Sequence, residues 1–138
     1  MAHRLKKEKN YSYIEVGVGT QIIILHGLMG GLSNFSAVTD FFSKNGYKVV
    51  IPELPIYTMS LLKTNVKSFA KYLHDFIEFK GYDEVILLGN SLGGHIGLYH
   101  TKMFHEKIKA LVITGSSGLY ESAMGSGYTK RSDYEVIK

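Results

Sequence analysis

One stretch of the chain decides its fold: Val85-Ile86-Leu87-Leu88-Gly89-Asn90-Ser91-Leu92-Gly93-Gly94-His95. Its first half is a continuous apolar run, which is typical of a strand buried on both faces of a parallel sheet. Its second half is a glycine-rich turn, and a helix is expected after it to about Phe104. The stretch therefore predicts a strand, a tight turn and a helix, with Ser91 in the turn.

The same alternation extends in both directions along the chain. The predicted strands are Tyr11–Val16, Gln21–Leu25, Lys48–Ile51, Glu84–Leu88 and Ala110–Ile113. One helix is expected between a Ser33 cap and Gly46, and a second between a Thr64 or Asn65 cap and Gly81. Buried strands that alternate with amphipathic helices indicate an α/β fold, in which a doubly wound, mostly parallel sheet has helices on both faces.

Ser91 is the strongest candidate for chemistry. A serine between a strand and a helix, with Gly89 and Gly93 two residues to either side, matches a strained turn that exposes the hydroxyl above the sheet. The peptide N–H of Leu92 would then face an oxyanion formed at Ser91. Gly94 belongs to the same turn and is expected to support it. The alternative is a glycine-rich turn that binds a phosphate at the helix N-terminus.

A second glycine-rich turn, His26-Gly27-Leu28-Met29-Gly30-Gly31, follows the strand Gln21–Leu25. It should lie at the same sheet edge as Ser91, because the carboxyl ends of parallel strands share one edge. The N–H of Leu28 is expected to be a second donor to the oxyanion. His26 and Gly27 are interpreted as structural support for the turn.

Four sequence blocks, in this order and spacing, resemble the N-terminal portion of the α/β-hydrolase fold family. They are Ile22 to Gly31, Val49 to Pro55, Val85 to His95 and Ile108 to Ile113. Asn90 before the serine, together with Gly115-Ser116-Ser117-Gly118-Leu119, is similar to the subgroup of meta-cleavage-product hydrolases, which cleave carbon–carbon bonds, and related esterases.

The resemblance implies a serine hydrolase acting on an ester, a thioester or a related carbonyl substrate. Ser91 would be its nucleophile, and Leu28 and Leu92 would form its oxyanion hole. The family's acid and histidine follow later strands that this sequence does not contain, and the loop after Ile113 carries no carboxylate. The chain is therefore expected to be truncated before the last strands, and residues 1–138 alone to show at most residual activity. The alternative is a non-catalytic fragment or binding protein on the same fold.

Histidines within the chain are weak candidates for the catalytic base. His95 lies four residues past Ser91, so it should point along its helix and not over the hydroxyl. The remaining histidines are expected to be surface or packing residues. They are His3, His74, His100 and His105.

The domain organisation follows from charge and composition. Arg4, Lys6, Lys7 and Lys9 against Glu8 give residues 1–10 a charge of +3 out of the total of +4, which predicts a basic, flexible head. Residues 11–114 are expected to form the hydrolase core, and residues 115–138 the start of a cap or lid, or a tail. No apolar stretch follows the head before Gly17, which favours a cytoplasmic protein over a secreted one.

Composition excludes several other classes. With 45% apolar and 20% charged residues the chain reads as an ordinary globular domain, and its apolar runs are too short to span a membrane. It has no Cys, no metal-ligand spacing and no phosphate-binding loop with lysine, so no metal or other cofactor is expected. Neither nucleic acid nor membrane is expected as a partner.

An open sheet edge is expected at Ala110–Ile113. We expect it to be covered by a second copy, a complementary chain or residues 118–138.

Overall fold

The computed structural model describes residues 5–26, 35–55 and 65–115, which form one six-stranded sheet and three helices. The strands are β1 (Leu5–Glu8), β2 (Tyr11–Val16), β3 (Thr20–Leu25), β4 (Tyr47–Pro52), β5 (Val85–Asn90) and β6 (Ile108–Thr114). The helices are α1 (Ser36–Ser43), α2 (Val66–Lys80) and α3 (Leu92–Met103), and a short 3-10 helix spans His105–Lys107. All five strands predicted from the sequence are present.

The strand order across the sheet is β1-β2-β4-β3-β5-β6. The strands β4, β3, β5 and β6 are parallel, whereas β1 and β2 run antiparallel at one side. The chain leaves β3 towards β4 and leaves β5 in the opposite direction, towards β6. The switch in direction therefore falls between β3 and β5, and the carboxyl ends of two such strands are where α/β sheets bind ligands.

Helices cover both faces of the sheet, as the doubly wound architecture requires. On one face α2 and α3 pack on a core that includes Phe76, Leu87 and Ile96. On the other face α1 contributes Val38 and Phe42 against a second core of strand residues. Side chains of β3 alternate between these cores, which explains its unbroken apolar run.

The ends of α2 match their sequence signals. Asn65 caps the helix, because its Oδ1 accepts a hydrogen bond from the N–H of Ser68 at 2.8 Å. Gly81 ends it in the left-handed conformation at φ 71°, which glycine adopts without steric cost. No helix in the described ranges is long and apolar enough to cross a membrane.

Two expectations from the sequence need correction. Residues 1–10 were expected to be a flexible head, but Leu5–Glu8 pairs with β2 as an edge strand, and Lys6 forms an ion pair with Glu15 across it. The strand Ala110–Ile113 was expected to be buried, but Val112 is 44% exposed. Its side chain lies on the face opposite α3, where no described element covers the end of the sheet.

Several predicted features lie outside the described residues. These are Gly27, Leu28, Gly30, Gly31, the Ser33 cap and residues 116–138. The structure places β6 at the edge of the described sheet, and its cover by a second copy, another chain or the tail stays a prediction.

Candidate active site

Three strand ends meet at one edge of the sheet. In the register of the parallel strands, Leu25 lies opposite Gly89, and Asn90 lies opposite Thr114. His26 and Ser91 are the next residues of β3 and β5 along the chain, so they follow neighbouring strands at the switch point. The prediction that both turns begin at the same sheet edge is confirmed for these two residues.

Ser91 has a backbone conformation that is uncommon for any residue with a side chain. Its φ is 56° and its ψ is -122°, and the only other described residue besides glycine with a positive φ is Lys9. Such a conformation costs about 1–3 kcal/mol and persists only where the surroundings enforce it. The residue is exposed, so the strained turn lies at the protein surface.

Gly89 and Gly93 are required because backbone passes close to them. A Cβ added at Gly89 would lie 2.7 Å from the Cα of Gly94, inside the turn itself. A Cβ added at Gly93 would lie 2.9 Å from the carbonyl oxygen of His26 and nearer still to the backbone of Leu25. The absence of these two side chains lets α3 begin directly against the end of β3.

Ser91 is the N-cap of α3. The N–H groups of Gly94 and His95 donate to the carbonyl oxygen of Ser91 at 3.0 and 3.3 Å. Leu92 is the first residue of the helix, so its N–H has no acceptor within the helix. Aligned peptide dipoles make this end of a helix electropositive, which favours an anion beside Ser91.

His26 connects β3 to the segment after β4. It is 8% exposed, and its Nε2 accepts a hydrogen bond from the N–H of Leu54 at 3.1 Å. An imidazole that accepts at Nε2 carries its proton on Nδ1 when neutral. The side chain therefore satisfies a buried backbone donor and fixes where the chain leaves β3.

A contact between Asn90 and Thr114 was not predicted. The hydroxyl of Thr114 donates to Oδ1 of Asn90 at 2.9 Å, and the N–H of Ser91 donates to the carbonyl oxygen of Thr114 at 2.9 Å. The sequence showed Thr114 only as the start of a loop without carboxylates. The signal that could have found it is the parallel register, which places the last residues of β5 and β6 side by side.

The described histidines do not complete a catalytic group at Ser91. His100 lies in α3 at 1% exposure, with both ring nitrogens unpaired among the described residues, and it packs beside His74 of α2. In residues 5–26, 35–55 and 65–115 no histidine side chain bonds to Ser91, and no cluster of three or more residues could hold a metal ion.

Comparison with known proteins agrees with this geometry. A family model described as "alpha/beta hydrolase fold" matches residues 20–132. The chain belongs to the α/β hydrolase fold family. The match spans both glycine-rich turns, so the resemblance stated from the sequence is confirmed.

Three relatives show what share of a longer protein this α/β hydrolase chain covers. A solved alpha/beta hydrolase enzyme from the metagenome of sediments of the Mar Chica lagoon, Morocco, is 67% identical with a TM-score of 0.82, over 84% of this chain and 53% of that one. A 2-hydroxy-6-oxo-6-(2'-aminophenyl)hexa-2,4-dienoic acid hydrolase from Metapseudomonas resinovorans is 30% identical over 78% of this chain and 39% of its own length. Lipase 3 of Moraxella sp. is 25% identical over 77% of this chain and 35% of the lipase. The α/β hydrolase chain thus spans about half or less of these relatives.

Proposed function

We propose that the complete protein is a serine hydrolase in which Ser91 attacks an ester, thioester or related carbonyl carbon. The observation that carries the proposal is the backbone of Ser91, held at φ 56° between two glycines that admit no side chain. A fold does not maintain such strain at an exposed serine for stability alone, because a relaxed turn would cost less.

The proposed reaction follows from the placement of the groups. Ser91 Oγ adds to the carbonyl carbon, and the carbonyl oxygen becomes an oxyanion at the N-terminus of α3. The N–H of Leu92 donates to this oxyanion, and the N–H of Leu28 is proposed as the second donor. His26, Gly27, Gly89, Gly93 and Gly94 support the two turns. The oxyanion then collapses, and the bond from the carbonyl carbon to the alcohol, thiol or carbon leaving group breaks. The leaving group takes up a proton and departs, which leaves the acyl group on Ser91 Oγ. Water then adds to the acyl carbon, the carboxylic acid leaves, and Ser91 Oγ regains its proton.

Proton transfer needs a base and an acid that the described residues do not place at Ser91. We propose that a histidine and a carboxylate outside this chain supply them, as the resemblance to the family implies. This requirement agrees with the coverage of the relatives, of which the chain spans about half or less.

The relatives point to two kinds of carbonyl substrate. One is named for hydrolysis of a 2-hydroxy-6-oxo dienoic acid, and another is named as a lipase. In both kinds of reaction a nucleophile adds to a carbonyl carbon and an acyl group is released. The proposal therefore specifies attack by Ser91 on a carbonyl carbon and is compatible with both substrate classes.

Ester hydrolysis by the complete polypeptide tests the proposal. Hydrolysis of p-nitrophenyl acetate should fall at least about a thousandfold in Ser91→Ala, because the nucleophile of such a site supplies most of kcat. Ser43→Ala is the matched control, since Ser43 lies in α1 and its hydroxyl donates to the carbonyl oxygen of Asp40 at 3.3 Å. A Ser91→Ala variant with the activity of the wild type would overturn the proposal.

The second candidate is a non-catalytic fragment or binding protein on the same fold. The observation that favours it is that, within the described ranges, no hydrogen bond joins a histidine side chain to Ser91. It predicts that the complete wild-type protein shows no ester hydrolysis above that of Ser91→Ala, while still binding an acyl compound. Equilibrium binding of a non-hydrolysable ester analogue, measured beside the kinetics, separates the two candidates.

A further inference from the structure

We propose that Thr114 is a positioning residue for the nucleophile turn, residues 89–94, and acts through Asn90 and the peptide that joins it to Ser91. The inference rests on the proposed function of Ser91. It concerns Thr114 on β6, a residue outside that turn to which the proposed function gives no role.

Thr114 contacts Ser91 through its backbone and Asn90 through its side chain. Its carbonyl oxygen accepts the N–H of Ser91 at 2.9 Å, and its hydroxyl donates to Oδ1 of Asn90 at 2.9 Å, while the carbonyl oxygen of Gly89 lies farther from the hydroxyl, at 3.5 Å. The backbone contact limits movement of the serine N–H, and the side-chain contact limits movement of the residue before it. Together they hold the peptide at the point where the chain enters the strained conformation of Ser91.

The position of Thr114 is fixed independently of this contact. The register of β5 and β6 pairs Asn90 directly with Thr114. The chain then turns away at Gly115, which has a φ of 55°. Thr114 is thus the last residue of β6 and is held by the sheet, so its hydroxyl can serve as a rigid reference for a turn that is not itself part of the sheet.

The hydrogen bond between Thr114 and Asn90 is exposed, so it should affect the orientation of the turn more than the stability of the fold. Both Asn90 and Thr114 are exposed, and a hydrogen bond between exposed neutral groups competes with water and adds little to folding. Its main effect is to select one orientation of the Asn90 side chain and of the peptide beyond it. Loss of the hydroxyl should therefore change the reactivity of Ser91 much more than the melting temperature.

The test is the rate at which a fluorophosphonate labels Ser91 in the complete protein. Thr114→Val removes the hydroxyl and keeps the branched shape and the backbone acceptor. It should lower the maximal labelling rate about tenfold, with the half-saturating probe concentration and the melting temperature nearly unchanged. Thr114→Ser restores a hydroxyl and should recover most of the rate.

A double-mutant cycle shows whether Thr114 acts through Asn90. Asn90→Ala removes the same hydrogen bond from the other partner, so adding Thr114→Val to it should cause no further loss. Losses that multiply, or wild-type labelling of Thr114→Val, would overturn the inference while leaving the role of Ser91 intact. If the probe does not label the wild-type protein, the proposed function of Ser91 is overturned. The role of Thr114 in the reaction is then overturned as well.

Discussion

The imidazole ring of His100 lies 6.2 Å from that of His74, at the contact between α3 and α2. His100 is 1% exposed, and both of its ring nitrogens lack a hydrogen-bond partner among the described residues. His74 stacks on Phe104 at 3.9 Å and has Glu78 within 3.9 Å of its Nε2. A neutral imidazole is thus enclosed beside another histidine, on the helix whose N-cap is Ser91.

The protein should lose stability in mild acid because of His100. Burial, with a smaller contribution from His74, lowers the pKa of His100 from 6.5 to about 4. Above pH 6.5 the ring is neutral in both the folded and the unfolded chain. Below that value the unfolded chain takes up a proton that the folded chain resists, so the free energy of unfolding falls by about 3 kcal/mol in total by pH 4.

Urea unfolding between pH 7 and 4.5 measures this effect. His100→Leu should remove most of the slope of stability against pH, because it removes the buried titrating group. His95→Gln is the control on the same helix and should keep the wild-type slope. An unchanged slope in His100→Leu would show that another group causes the acid sensitivity.

A second titrating cluster joins the N-terminal strands to the end of α2. Glu15 accepts from the hydroxyl of Tyr82 at 2.7 Å and from Lys80 and Lys6 at 3.2 Å each. Burial alone would raise the pKa of Glu15, but the three hydrogen bonds prevail and lower it from 4.5 to about 2. This stabilisation is present above pH 4.5 and is lost as the pH falls towards 2, mostly below the range from pH 6.5 to 4 in which His100 acts.

Lys80→Met should lower the free energy of unfolding by about 2 kcal/mol at pH 7, because it removes a charged hydrogen bond from a carboxylate that is 13% exposed. Lys71→Met is the matched control, since the exposed pair of Lys71 and Asp75 contributes about 0.5 kcal/mol or less. Chemical denaturation of both variants compares them. Equal losses would mean that the Glu15 cluster contributes no more than a surface ion pair.

The close contact between α3 and β3 predicts a difference between two glycines of one helix. Gly93→Ala places a Cβ against the backbone of Leu25 and His26, which cannot move aside, and should cost about 3 kcal/mol or more. Gly97→Ala meets the side-chain ends of Leu111 and Leu25, at 3.2 and 3.3 Å, and of Leu87 at 4.0 Å, and it should stay within about 1 kcal/mol of the wild type. Thermal unfolding of the two variants compares them, and equal losses would contradict the geometry of the turn.

The sequence predicts those parts of the structure that depend on local physics. Asn65 begins α2 by capping it with its side chain, and Gly81 ends it because a residue without a Cβ adopts the left-handed conformation there. Gly89 and Gly93 are glycine because backbone passes against them. The apolar runs place the parallel strands correctly.

The remaining features depend on neighbours that a single segment does not reveal. Leu5–Glu8 is a strand although it carries three charged residues. It pairs with the open edge of β2, and its Lys6 forms an ion pair with Glu15. Thr114 meets Asn90 only through the register of two strands. His100 is a polar residue that the packing of two helices buries, and its sequence context does not distinguish it from a surface histidine.

The central claim is that Ser91 is the nucleophile, and the site of a fluorophosphonate adduct tests it most directly. Cleavage after Lys80 and Lys102 releases residues 81–102, in which Ser91 is the single serine. We predict that mass spectrometry of the labelled complete protein finds one adduct, that it lies on this peptide at Ser91, and that Ser91→Ala abolishes it. An adduct on another peptide, or one that persists in Ser91→Ala, would contradict the claim.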